Sequence, residues 1–267
     1  MRDIVDYARA LVEAGCSPHQ PTHIHRHLGP DKLQVLCSAL QRDYGGSHET
    51  ARLWRALFEA VGLRSGAIAR DRLVLRFQPP HADGAAPWSG RGIATVGFHR
   101  DSWATNLYAQ VNWWAPVYPL SPRRTVAMYP HLWTVPLPNT SSTFDMADAM
   151  RRVRNGTAGR ARDIVPELLP GVDLGEPVPV VIDPGSVMAF SGQHAHAAVP
   201  NHTDITRISV ETRTLCIADH VGRHGAPNVD GDAHWMAPGL FRRVSDGKSL
   251  PELLGTRSLE PFDGLRG

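Results

Sequence analysis

The period of the apolar residues changes at about residue 72, and no other feature of this 267-residue chain constrains its fold as strongly. Before that point apolar side chains recur every three or four positions. Ile4, Val5, Ala8, Leu11 and Val12 line one face of a helix that stops at Gly15, and residues 31–42 repeat the pattern up to Gly45 and Gly46. Ser47 then caps a third helix carrying Leu53, Leu57, Phe58 and Val61 to Gly62. After residue 72 the apolar residues come in short β-branched and aromatic runs broken by proline and glycine, at 73–77, 93–98, 108–117, 125–129, 178–182, 187–190 and 205–216. One further helix is expected at 146–154. The pattern predicts a mainly β core, a sandwich or barrel, with flanking helices. A single domain is expected, with a helical part at 1–65, the β core at 70–218 and a C-terminal extension at 219–267.

A net charge of +2 without a long basic run gives no footing for nucleic acid or an anionic membrane. No apolar run approaches the roughly eighteen residues needed to cross a bilayer, and the opening residues lack a signal peptide's apolar segment. A cytoplasmic location and a small-molecule partner are therefore expected, and a homodimer is left open. Cys16, Cys37 and Cys216 show no close spacing, which argues against a disulfide framework or zinc ribbon and for buried thiols.

The chemistry concentrates in three places. His99, Arg100 and Asp101 follow the 93–98 run; Gln193, His194, Ala195 and His196 follow the 187–190 run, entered through Asp183-Pro184-Gly185; Arg207 lies on the 205–216 run. In an extended strand residues i and i+2 share a face, about 7 Å apart, so His99 and Asp101 can converge on one ion. The second imidazole is His194 or His196, which alternate on the same segment. Two histidines and a carboxylate on one side of an octahedron leave positions for a chelating co-substrate and O2, as in non-haem Fe(II) oxygenases. A guanidinium such as that of Arg207 grips one carboxylate bidentately. The same donors also suit a cupin-type metal-dependent hydrolase or isomerase, or a sensor that turns nothing over.

Residues 70–216 resemble the double-stranded β-helix (jelly-roll, cupin-like) Fe(II)/2-oxoglutarate oxygenases, and within them the phytanoyl-CoA dioxygenase-like branch. The resemblance rests on His99-x-Asp101, the run from Pro184-Gly185 to Phe190, His196, Asn201 five residues on, and Arg207 eleven residues after His196. It implies that His99, Asp101 and His196 bind Fe(II), that Arg207 holds the distal carboxylate of 2-oxoglutarate, and that O2 is consumed with release of succinate and CO2. It also implies hydroxylation of a biosynthetic small molecule. Retention of Asp101 argues against halogenation, since the related halogenases replace that carboxylate with a small residue.

The remaining candidates follow from position. Arg213 lies on the Arg207 face of its strand and is a second candidate for the co-substrate, as is Asn112; a surface ion pair is the competing reading for Arg213. Trp103, His194, Tyr129 and Asn139 are candidate substrate contacts, whereas Trp113, Trp114 and Trp133 read as core. Loops at 89–92 and 225–230 could border the site. His19, His23, His25 and His27 lack the carboxylate or cysteine partners of a known metal spacing and read as a loop between helices.

Overall fold

The computed structural model describes residues 1–81, 88–90, 92–155 and 165–262. Helices α1 (Arg2–Cys16), α2 (Pro30–Gly46) and α3 (His48–Ala60) open the chain. Pro30 begins α2, where its missing N–H costs nothing, and the Ser47 hydroxyl accepts the Glu49 and Thr50 amides at the head of α3. Gly15 does not end α1, which continues to Cys16. Its role is close approach, because a Cβ there would lie 2.5 Å from the Leu40 side chain of α2.

Thirteen strands follow among the described residues: β1 (Ile68–Arg70), β2 (Val74–Gln78), β3 (Ser89–Gly90), β4 (Ile93–Ala94), β5 (Gln110–Pro116), β6 (Val126–Met128) and β7 (Val178–Pro179). Then come β8 (Met188–Ser191), β9 (His196–Ala198), β10 (Arg207–Cys216), β11 (Trp235–Met236), β12 (Arg242–Arg243) and β13 (Glu260–Pro261). A short helix α4 (Ser102–Thr105) separates β4 from β5, and α5 (Met146–Asn155) follows β6.

Strand β10 is the spine of the larger sheet. One edge pairs antiparallel with β2, from Arg207 opposite Gln78 to Glu211 opposite Val74, and then with β1. The other edge pairs with β5 from Ser209 opposite Pro116 to Leu215 opposite Gln110, and β5 carries β8 on its far side. Strand β4 runs parallel to β2. The smaller sheet orders β7, β6 and β9. The run 93–98 is not one strand, because it changes sheets. Residues 93 and 94 pair within the large sheet, whereas Val96 and His99 bond to Ala198 and His196 on the smaller one. In the 178–182 run the strand covers only Val178–Pro179, with Val180 adding one amide bond to the Val126 carbonyl, and β1 and β12, which had too few residues to show a period, were not expected.

Alternation along β10 sorts its side chains. Ile208 and Val210, with Leu75, Phe77, Trp113, Ala115 and Val117 of the paired strands, join Ile4, Ala8, Val12, Leu33, Leu40, Trp54 and Phe58 of the helices in one buried cluster. Each large apolar side chain so buried contributes about 1.5–3 kcal/mol. Arg207, Ser209, Glu211 and Arg213 point the other way, with Arg76, Asn112 and Trp114 directly across the strand pairs. The helices therefore seal one face of the sheet and leave a polar face toward β9. Cys16 and Cys37 are buried thiols and Cys216 is half-buried. No helix among the described residues is long and apolar enough to cross a membrane.

Candidate metal centre

His99 and His196 are brought together by a reciprocal backbone bridge, each amide donating to the other's carbonyl at 3.0 Å. Their rings lie 4.3 Å apart, centroid to centroid. Asp101 does not reach them along an extended strand, as the i, i+2 argument expected. Its backbone is already helical (φ −62°, ψ −33°), and its carbonyl accepts the Ala104 and Thr105 amides that open α4. This turn, and not a pleat, brings Asp101 Oδ1 to 3.7 Å from His99 Nε2. One ligand atom from each of His99, Asp101 and His196 lies within 4.8 Å of the others.

The three donors fit a divalent transition metal. His99 Nδ1 is 2.9 Å from the Gly97 carbonyl and His196 Nδ1 is 2.9 Å from the His194 carbonyl. Nδ1 must carry the proton in both, which leaves each Nε2 lone pair for a metal. Burial, with the nearby His99, pushes His196 down to about 4, so its imidazole is neutral at physiological pH. Burial alone would raise the Asp101 carboxyl; the Arg213 guanidinium, 3.7 Å from Oδ1, outweighs it and holds Asp101 well below the usual carboxylate range. Two neutral nitrogens and an anionic oxygen on one side of a cavity form a set that retains open positions.

The geometry also separates the two candidate imidazoles. The His194 ring lies tilted against Trp133, centroids 4.3 Å apart, and outside the trio. His196→Ala should weaken Mn(II) binding more than 100-fold, beyond the roughly 10–100-fold typical of an outer-shell partner, while His194→Ala should leave it within a few-fold. Equal losses in a calorimetric titration of the two variants would contradict the assignment.

The polar face of the large sheet completes the site. Side chains on its helix side are sealed, whereas Arg76 and Glu211 keep 17% and 24% of their side-chain surface and Arg213 27%, so this face is partly open to solvent. Arg213 sits 3.7 Å from both Asp71 Oδ2 and Asp101 Oδ1, which makes it a buttress of the Asp101 carboxylate. Asn112, expected to meet the co-substrate, instead donates to Asp101 Oδ2 at 2.5 Å. Phe190 packs edge-on to His196 with centroids 5.0 Å apart. Arg207 is 4% exposed, its Nε and Nη1 are buried without a hydrogen-bond partner, and its guanidinium sits 5.9 Å over the Trp114 ring. Burial pushes its pKa down to about 9.

Three of the remaining candidates belong to the walls. Trp103 is fully buried and donates its indole N–H to Asp230 Oδ1 at 2.7 Å, so it does not face the cavity mouth. Asn139 bonds the Leu137 and Asp230 carbonyls and accepts the Ser141 amide. Tyr129 packs edge-on to Phe98 at 4.9 Å. Asn201 ties the chain ahead of Arg207 by donating to the Gln78 and Ile205 carbonyls. In the histidine-rich segment His19 stacks on His27 and His25 meets Thr206 at 2.8 Å, around a 3-10 turn at Pro21–Arg26.

Three residues were given no role by the sequence reading. Arg100, between the ligands, is fully buried and donates to the Gln193, Leu132 and Val135 carbonyls, and its Nε lies 3.1 Å from Asp230 Oδ2. That last contact is off the hydrogen-bond direction and is ionic. Asp230 also accepts the Leu137 amide, so one buried ion pair fastens two loops to the ligand segment. Gln110 joins Asn112 on Asp101. Only the alternation on the 108–117 run could have signalled Gln110, and nothing local marks Asp230 beyond its place in the 225–230 loop.

No protein-family model matches the chain, and no curated protein matches it. Among solved structures it is similar to the non-haem monooxygenase ThoJ, at 15% identity over 81% of this chain and 71% of that one, with a TM-score of 0.45. It is also similar to EvdO2 from Micromonospora carbonacea var. aurantiaca, solved with 2-oxoglutarate, at 16% identity over 73% of this chain and 65% of that one, TM-score 0.39. A third similarity is to the epimerase SnoN in complex with Fe3+, alpha ketoglutarate and nogalamycin RO, at 15% identity over 80% and 75% of the two chains, TM-score 0.40.

Proposed function

We propose that this protein is a non-haem Fe(II)- and 2-oxoglutarate-dependent oxygenase that hydroxylates a small molecule bound in the cavity of a double-stranded β-helix. The observation that carries the reading is the coexistence of a two-histidine, one-carboxylate set with a buried guanidinium whose Nε and Nη1 lack a partner, both on the polar side of β10. An unpaired buried charge costs several kcal/mol, and a ligand carboxylate offsets that cost.

The spacing suits a short dicarboxylate. Arg207 covers Trp114, and Asn112, two positions along β5 on the same face, holds Asp101; two strand positions span about 7 Å. Arg207 would grip one carboxylate through its fork while His99, Asp101 and His196 hold the metal at which the other end chelates. Bound Fe(II) with 2-oxoglutarate supplies O2 activation coupled to decarboxylation to succinate. The chain's own work is to orient: Arg207 fixes the co-substrate, the bridge between His99 and His196 fixes the imidazoles, and Phe190 shields one of them from water. Strand orders β2–β10–β5–β8 and β7–β6–β9 with the His99 segment added are those expected of two facing four-stranded sheets, which supports the β-helix reading. The eleven-residue interval from His196 to Arg207 supports the phytanoyl-CoA dioxygenase-like branch.

The test is succinate release from 2-oxoglutarate under air. Slow Fe(II)-dependent turnover is expected without added substrate, and Asp101→Ala should abolish it. An iron-loaded wild-type protein that forms no succinate would sink the reading.

A further inference from the structure

Asp101 is held more tightly than a metal alone requires. Its two oxygens are treated differently. Oδ2 accepts Asn112 Nδ2 at 2.5 Å and Gln110 Nε2 at 3.1 Å, whereas Oδ1 faces His99 Nε2 and Arg213 Nη1, each at 3.7 Å. Gln110 and Asn112 are i, i+2 neighbours on β5 and so share the face of the strand that looks at Asp101. They also fix each other, because Gln110 Nε2 lies 2.8 Å from Asn112 Oδ1. That contact settles the Asn112 amide: its oxygen faces Gln110 and its nitrogen faces the carboxylate, and the reverse orientation would set two oxygens against each other.

The surroundings keep the amide pair in place. Gly192 donates its amide to the Gln110 carbonyl at 3.1 Å, and a Cβ at Gly192 would sit 2.9 Å from Gln110 Nε2 and 3.4 Å from Asp101 Cβ. Asp101, Gln110, Asn112 and Gly192 are all buried, and the place of Gly192 is set by that close approach. With both amides on Oδ2, one oxygen of Asp101 is committed to the protein and one is left for an ion.

We infer that Gln110 and Asn112 are positioning residues that present Asp101 to the metal through Oδ1 alone, making the carboxylate a single-point ligand. The inference rests on the metal centre of the proposed function and not on its co-substrate. A single-point carboxylate occupies one coordination position, which leaves room for a chelating ligand beside the two imidazoles. Arg213, held from its other side by Asp71, adds charge at Oδ1 without donating a hydrogen bond to it at that distance.

The experiment titrates Mn(II) into metal-free wild type, Asn112→Leu and Gln110→Ala by calorimetry, with folding checked by far-UV circular dichroism, and then adds 2-oxoglutarate to the Mn(II)-loaded proteins. Asn112→Leu keeps the side-chain volume and removes the donor. Its Mn(II) affinity should fall about 10–100-fold. Gln110→Ala, the milder change, should fall less and in the same direction, and it carries the test if Asn112→Leu does not fold. Unchanged or tighter Mn(II) binding by a folded variant overturns the inference. If wild type binds Mn(II) but not 2-oxoglutarate and the variants still lose Mn(II), the oxygenase reading fails while this inference stands.

Discussion

Arg207→Met should do two opposite things: abolish 2-oxoglutarate binding and make the ligand-free protein more stable. Two hydrogen bonds from a charged group, at about 1.5–3 kcal/mol each, correspond to a loss of roughly 100-fold or more in affinity. The stability gain follows from the surroundings. The guanidinium is 4% exposed, has two buried nitrogens without hydrogen-bond partners, and lies over the Trp114 ring. A methionine fills similar space along that ring without a buried charge, and replacing buried charged groups by apolar ones of like volume commonly stabilises by about 1–4 kcal/mol. Calorimetry with 2-oxoglutarate on Mn(II)-loaded protein checks the first effect, and urea unfolding of the ligand-free protein checks the second. A variant that keeps its 2-oxoglutarate affinity would remove Arg207 from the site, and one that loses stability would mean the guanidinium is a structural group.

Asp230→Ala carries the largest expected stability cost. Arg100 would be left fully buried with no counter-charge, and the Trp103 indole and the Leu137 amide would lose their acceptor. Breaking one side of a buried pair costs about 3–5 kcal/mol, on the order of 10 °C in thermal midpoint for a protein of this size. Because Arg100 stands between His99 and Asp101, Mn(II) affinity should fall as well. Asp230→Asn keeps one acceptor oxygen, enough for either Trp103 or Leu137 but not both, and should recover part of the stability. Thermal unfolding of the two variants is the check, and a midpoint within a degree or two of wild type for Asp230→Ala would show that the three carbonyls on Arg100 suffice.

What was legible in the sequence divides along physical lines. Period carries far: 3.6-residue spacing located α1 to α3, and the strict alternation of 205–216 placed Arg207 and Arg213 on one face, because both signals are local. The metal set was legible as residue types, His99 and Asp101 by their nearness and His196 by its interval to Arg207. How Asp101 arrives was not, since an extended and a helical backbone are equally open to His-Arg-Asp until α4 forms. The exchange of His194 for His196 is decided by the bridge to His99, a pairing across 97 residues. Asn112 was noticed for its polarity and assigned to the co-substrate, but its partner is Asp101, eleven residues back around a turn. Trp103 and Asn139 were candidate substrate contacts, and both are claimed by Asp230, more than 90 residues away in sequence. Such contacts are chosen by tertiary packing, and composition near each residue holds no trace of them.

The most direct test of the account is a spectrum. Fe(II) and then 2-oxoglutarate are added anaerobically to metal-free protein, and the visible region is watched for the metal-to-ligand charge-transfer band of a chelated α-keto acid. The account expects the band in wild type, none in His196→Ala, and none in Arg207→Met at 2-oxoglutarate concentrations that saturate wild type. Tight binding of zinc with no band from Fe(II) and 2-oxoglutarate in wild type would contradict it and turn the same three ligands toward hydrolytic chemistry.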